Sequence, residues 1–168
     1  MTKNYQNRHI LVFEAEKCAG CRICETVCSL GHVGEVKPSE ARINIAKIEE
    51  LGFEFAVFCQ QCDERFCMDV CPVKAIQPDD NDVLVVNSEK CIGCGRCERA
   101  CPYNGIKVTS FKKAVKCDLC GGDPMCVKHC PAEALQFVAD EGGFSLLRLQ
   151  VMDQLKILKV KTEEEINS

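Results

Sequence analysis

The stretch CIGCGRCERACPYNGI, Cys91 to Ile106, decides the reading of this chain. Its cysteines, Cys91, Cys94, Cys97 and Cys101, are separated by two, two and three residues, and Pro102 comes directly after the last. Moving outward, the same gaps recur at Cys18, Cys21, Cys24 and Cys28, where Ser29 stands in place of the proline. Two further sets keep the first and last gaps and lengthen the middle one. Cys59, Cys62, Cys67 and Cys71 precede Pro72, and Cys117, Cys120, Cys126 and Cys130 precede Pro131. All sixteen cysteines fall into these four sets, in a chain of 168 residues. The chain is thus an internal repeat with variation.

A length of 168 residues allows one domain or two small ones. Cysteine at this density leaves a disulfide scaffold, a zinc protein or an iron–sulfur protein. Disulfides need an oxidising compartment and gain nothing from the repeated spacing. Met1 to His9 is polar and Ile10 to Phe13 is too short for a signal segment, so a cytoplasmic protein with reduced thiols is expected. No window approaches 18 apolar residues, so no membrane span is expected. Zinc draws two cysteine pairs from separate knuckles, and sets two and four alone would admit that reading. Sets one and three do not. The net charge of −4 argues against nucleic acid as a partner. With 8 Phe, 2 Tyr and no Trp, the chain has little aromatic volume for a core, so something else holds it together.

A cubane [4Fe–4S] cluster needs four thiolates at the corners of a tetrahedron. Two-residue gaps wrap three corners, and the fourth cysteine points away to the other cluster of a two-cluster pair. Each set is preceded by a β-prone run: His9 to Phe13, Phe53 to Phe58, Val83 to Val86, and Val108 to Val115 with an interruption. After each Cys-Pro stands a small–apolar pair: Ala75-Ile76, Gly105-Ile106 and Ala134-Leu135. The repeated unit reads as strand, ligand loop and one helical turn begun at the fourth cysteine, with proline in that first turn. Nineteen residues separate Cys71 from Cys91, enough for a helical turn, a loop and a returning strand. Sets two and three then form one compact two-cluster unit, and sets one and four pair around it.

The expected fold is therefore α+β: two nested, bacterial-ferredoxin-like modules stabilised by cofactor, with a C-terminal helix. The outer module takes residues 1–48 and 107–140, the inner one 49–106, and the tail 141–168. Cluster A takes Cys18, Cys21, Cys24 and Cys130, and cluster B takes Cys117, Cys120, Cys126 and Cys28. Cluster C takes Cys59, Cys62, Cys67 and Cys101, and cluster D takes Cys91, Cys94, Cys97 and Cys71. Sequential pairing, one with two and three with four, is the alternative.

Four oxidised clusters, each −2, bring the charge to about −12. Lys17, Arg22, Lys90, Arg96, Arg99, Lys116 and Lys128 stand near cysteines, but each reads first as a solvated charge. Backbone N–H groups bonded to sulfur are expected to matter more. There is no phosphate-binding glycine loop and no nucleophile beside a base. His9, His32 and His129 are scattered, and His129 reads as a helix-surface residue. Tyr103 is expected to pack against a cluster. Four clusters without a substrate site read as a conducting wire, not an enzyme.

The stretches CQQCDERFCMDVCP, CIGCGRCERACPYNGI and KCDLCGGDPMCVKHCPAEAL, with CAGCRICETVCSLGH before them, resemble the four-cluster ferredoxin-like subunits of molybdenum and tungsten oxidoreductases and of some hydrogenases. The resemblance covers roughly residues 8 to 140. It implies the nested pairing, a large partner subunit with a tungsten or molybdenum pterin, and an electron-transfer role. Without the long linker, membrane anchor or leader of some members, the chain is most similar to small subunits of tungsten aldehyde oxidoreductase-type enzymes. Similar subunits serve formate dehydrogenases, hydrogenases and carbon monoxide dehydrogenases. A ferredoxin or an NAD(P)-reducing flavoprotein is the implied acceptor. A free, diffusing polyferredoxin is the rival reading.

Outside the cysteine sets, Ala41 to Ile48 alternates and forms a hairpin candidate with Phe53 to Phe58 around Gly52. Ser145 can cap a helix running to about Lys161, with Phe144, Leu147, Val151, Leu155 and Leu158 on one apolar face. That face packs on its own domain, on a catalytic partner or on a second copy of the chain. Glu163 to Glu165 reads as a solvated, frayed end.

Overall fold

The computed structural model describes residues 8–48 and 53–140. Among these residues eight short strands form four antiparallel ribbons of two strands each. β1 (His9–Phe13) pairs with β8 (Leu135–Ala139), and β2 (Ile43–Ile48) with β3 (Phe53–Phe58). β4 (Ile76–Pro78) pairs with β5 (Leu84–Val86), and β6 (Ile106–Val108) with β7 (Ala114–Lys116). Between them lie α1 (Ile23–Val33), α2 (Phe66–Asp69), α3 (Arg96–Ala100) and α4 (Met125–Lys128). This is a small α+β fold of short strands and few helices. The β1–β8 ribbon ties the two ends of the cysteine-bearing region together, with His9 opposite Ala139 and Phe13 opposite Leu135.

Several local expectations hold. The hairpin is present, with Ile43 opposite Phe58 and both side chains buried. Ala75, Ile76, Ile106, Ala134 and Leu135 are buried, because each pair brings its strand back under the ligand loop before it. The apolar tail helix, its preceding glycines, the acidic end and the Gly52 turn lie outside the described residues. No helix among the described residues is long and apolar enough to cross a membrane.

Two expectations are corrected. Val108 to Val115 is not one interrupted strand. A turn at Thr109–Lys113 separates β6 from β7, closed by Lys112 N–H to Thr109 O at 2.9 Å and Thr109 N–H to Lys113 O at 3.0 Å. The helical turn also does not begin at the fourth cysteine. In sets two, three and four it begins just before the third, at Phe66, Arg96 and Met125, and the fourth cysteine lies past its end. The proline is therefore a stop rather than a first-turn residue. Its ring disfavours helical backbone in the residue before it, and Cys101 is extended at φ −81°, ψ 114°.

Set one shows the consequence of a missing proline. With Ser29 in that place, α1 runs on through Cys28 to Val33 and ends at Gly34, which adopts φ 77° and donates to Leu30 O at 3.0 Å. Ser29 is fully buried; its hydroxyl donates to Thr26 O and accepts from Lys37 N–H, both at 3.0 Å. Introducing proline there removes an interior helix bond and both hydroxyl contacts. Ser29→Pro is expected to cost at least about 3 kcal/mol, read as a lower melting temperature of the cluster-loaded protein.

Candidate metal centre

The sixteen cysteines are all free thiols and gather around four cavities. One is lined by Cys18, Cys21, Cys24 and Cys130 (cavity A) and one by Cys28, Cys117, Cys120 and Cys126 (cavity B). A third is lined by Cys59, Cys62, Cys67 and Cys101 (cavity C) and the fourth by Cys71, Cys91, Cys94 and Cys97 (cavity D). Each draws three cysteines from one set and one from another. Four thiols converging on one mostly apolar space are the donor set a cubane cluster requires. The residues fit the group.

Neighbouring cavities share elements. α1 carries Cys24 into A and Cys28 into B. Cys59 of C and Cys117 of B lie in one buried cluster with Ile43 and Phe58. α3 carries Cys97 into D, and Cys101 at its end reaches C. The cavities thus succeed one another as A, B, C and D.

Backbone N–H groups point at sulfur as expected. Cys71, Cys101 and Cys130 each accept from the amide four residues on, from Ala75 at 3.2 Å, Gly105 at 3.4 Å and Ala134 at 3.3 Å. Proline causes this: the halted helix frees those amides, and the turn directs them back. Cys28, inside a continuing helix, accepts from Arg42 N–H at 3.2 Å instead. Such bonds stabilise negative sulfur and raise the potential of the iron it binds.

Burial drives the thiols the other way. It pushes Cys24, Cys67 and Cys126 up to about 12, and Cys117 further. Bare thiolates are disfavoured in these cavities, and bound iron supplies the positive charge that lets them form. Cys28 is the exception. Burial raises it, but hydrogen bonds from His32 and the Arg42 amide outweigh that and leave it lowered.

The polar surroundings of B and C were not legible as such. His32 does more than stand alone. It lies one turn after Cys28 on α1, its Nδ1 donates to Cys28 O at 2.8 Å, and its Nε2 meets Asp118 Oδ1 at 3.2 Å. Arg42 pairs with the other Asp118 oxygen. Burial raises the Asp118 carboxyl, but His32 and Arg42 outweigh it and hold it well below the usual range. Lys116 is corrected from a solvated charge to a buried one, only 2 % exposed. Its ammonium donates to Leu84 O and to Cys117 O, and it lines cavity C, where its charge favours the Cys67 thiolate. The alternation around β7 was the available signal, since Ala114 and Lys116 share the buried face. Tyr103 is buried against cavity C, and His129 is exposed at the end of α4.

Gly105 sets the spacing between ligand loops. A side-chain carbon there would lie 2.5 Å from Cys59 Cα and 2.8 Å from Cys59 N and Phe58 O, all backbone. Gly105→Ala must push the Cys59 segment aside. Overpacking costs about 1–3 kcal/mol, and we expect iron content to fall with loss of the cluster in cavity C. Unchanged iron and melting temperature would count against this packing.

Fold, spacing and cavities define an iron–sulfur protein of the ferredoxin-like class. The chain belongs to the 4Fe-4S dicluster domain family, whose model matches residues 52–140, and a 4Fe-4S binding domain model matches residues 15–31. It carries four [4Fe–4S] clusters and is of the electron-transfer kind. It is 39% identical over 132 residues to the aliphatic sulfonate oxidoreductase, polyferredoxin-like subunit, of Pyrococcus furiosus, covering 77% of this chain and 76% of that one. It is 35% identical to the electron transport protein HydN of Escherichia coli, covering 77% and 86%. It is 30% identical to the thiosulfate reductase electron transfer subunit PhsB of Salmonella typhi, covering 78% and 76%.

Proposed function

We propose that this chain is a non-catalytic subunit that relays electrons between a large oxidoreductase subunit and a second redox partner. One observation carries the reading: each cavity combines cysteines of two sets, and successive cavities share α1, the buried cluster that holds Cys59 and Cys117, and α3. Cysteine sets assigned cavity by cavity give the ligands. Cys18, Cys21, Cys24 and Cys130 hold one cluster, and Cys28, Cys117, Cys120 and Cys126 the next. Cys59, Cys62, Cys67 and Cys101 hold the third, and Cys71, Cys91, Cys94 and Cys97 the fourth. The modules are then nested, with residues 1–48 and 107–140 around 49–106.

When bound, the clusters supply one-electron redox capacity. The chain's own residues do the rest. Cysteines hold the iron, backbone amides from Arg42, Ala75, Gly105 and Ala134 bond the ligand sulfurs, and Ile43, Phe58, Ile76 and Ile106 keep water away. Arg42 and Lys116 place positive charge beside the two inner cavities.

The names of the relatives support membership of an oxidoreductase complex. Within that class the partner we favour holds a tungsten or molybdenum pterin, of the aldehyde oxidoreductase type, with a ferredoxin or NAD(P)-reducing flavoprotein on the other side. Anaerobic native purification with metal analysis tests this. The expected result is a large second subunit with tungsten or molybdenum. Nickel would replace that partner with a hydrogenase or carbon monoxide dehydrogenase. A lone chain with iron and sulfide only would defeat the subunit reading and favour a diffusing polyferredoxin.

A further inference from the structure

Cavities A and D, at the two ends of the series, each have one solvent-exposed cysteine, Cys21 and Cys94. Their surroundings differ in charge. At A the cations are matched by carboxylates: Lys17 pairs with Glu14 at 2.9 Å, and Arg22 lies 3.9 Å from Glu25. Glu54 adds a negative charge against the loop, for a side-chain carbon on Gly20 would meet its Oε1 at 2.7 Å.

At D the loop Cys91–Gly95 is ringed by cations. Arg96 lines the cavity. Arg99 crosses Gly95, with Nη1 3.1 Å from where a side-chain carbon would stand, and Glu98 Oε2 is the one carboxylate beside that point, at 3.9 Å. The Lys112 backbone packs on Gly93, with its O 2.2 Å and its Cβ 3.3 Å from where a side-chain carbon on Gly93 would stand, so its exposed side chain starts at the edge of the loop. Lys113 Nζ donates to Cys91 O at 2.7 Å. Among the described residues none of the four makes an ion pair. Inside this collar Ile92 is 62% exposed and Val73 36%, both lining the same cavity. A cluster's negative charge alone does not explain the collar, because cavity A takes the same charge without one.

We infer that the face around Cys94, with its apolar centre at Ile92 and Val73 and its basic rim at Arg96, Arg99 and Lys112, docks an acidic one-electron carrier protein. The inference rests on the electron-relay reading above. Basic rims steer acidic partners and speed encounter, while a small desolvated apolar centre holds them close. One electron crosses this face, oxidising the donor and reducing the acceptor by one, with no proton and no bond change.

The test is anaerobic stopped-flow oxidation of the reduced, cluster-loaded full chain by a small acidic two-cluster ferredoxin, at low and high ionic strength. Arg99→Glu with Lys112→Asn changes two exposed side chains, and asparagine tolerates the left-handed backbone of Lys112 at φ 55°. The second-order rate constant is expected to fall at least about tenfold at low salt and much less at high salt. Lys17→Gln with Arg22→Asn, at the cavity A end, where Lys17 precedes Cys18 and Arg22 lines the cavity, should leave it unchanged. Iron content and visible absorbance report assembly, and Arg99→Gln with Lys112→Asn serves should the first pair assemble poorly. A rate indifferent to the D-end substitutions and to salt overturns the inference, as does an equal loss from the A-end pair. Benzyl viologen separates the two readings. If it takes electrons from the reduced chain while the ferredoxin rate ignores charge, only the docking face is wrong. If neither acceptor is reduced, the relay reading fails with it.

Discussion

Stripped of iron and sulfide without oxygen, the chain will lose its tertiary structure altogether. The buried side chains show why. Cys24, Cys28, Cys59, Cys67, Cys91, Cys97, Cys117 and Cys126 are core residues, and all of them face the cavities. The remaining apolar core is a thin shell of residues such as Leu11, Ile43, Phe58, Ile76 and Ile106. Among the described residues every sheet is a two-stranded ribbon, and such ribbons are marginal in water by themselves. Three of the four α-helices among the described residues are only four or five residues long, too short to persist alone. Cluster binding therefore supplies folding free energy, as metal does in other small metal-dependent domains. Near-ultraviolet circular dichroism and amide proton dispersion should both collapse in the apo form. A well-dispersed apo spectrum with a cooperative melt would sink this expectation.

The second large effect concerns shared ligands. Replacing Cys18 by alanine should remove about a quarter of the bound iron, and so should replacing Cys130. If both serve one cluster, in keeping with cavity A, the double variant Cys18→Ala/Cys130→Ala also loses about a quarter. If Cys130 instead completes a cluster with its own set, the double variant loses about half. Iron and acid-labile sulfide per chain separate the outcomes, and the same design applies to Cys94, which is exposed, and Cys71 of cavity D. These ends are the sites to use, because Cys18, Cys130 and Cys71 are only partly buried. Substitution there disturbs packing less than at the buried Cys117.

Local features were legible in the residues because they depend on neighbours in the chain. The alternation of Ile43 and Ile45 marked β2. The small–apolar pair after each Cys-Pro marked buried strand starts at Ile76, Ile106 and Leu135. Tight ligand loops implied amides aimed at sulfur. The role of proline was not legible, because two local rules compete: proline suits the first turn of a helix, and it also ends one. Set one decides between them, since only there, with Ser29, does the helix continue and carry His32 over Cys28.

By itself, then, the spacing of sixteen cysteines determined the cofactor, because thiolate geometry around a cubane is set by gaps of a few residues. Tertiary structure decided what surrounds each cavity. Lys116 is buried by the approach of β5 to β7, Arg42 and His32 meet Asp118 from far along the chain, and Cys94 rather than Cys91 faces solvent. Charge environment and exposure depend on contacts between segments tens of residues apart, and those contacts leave no period in the sequence.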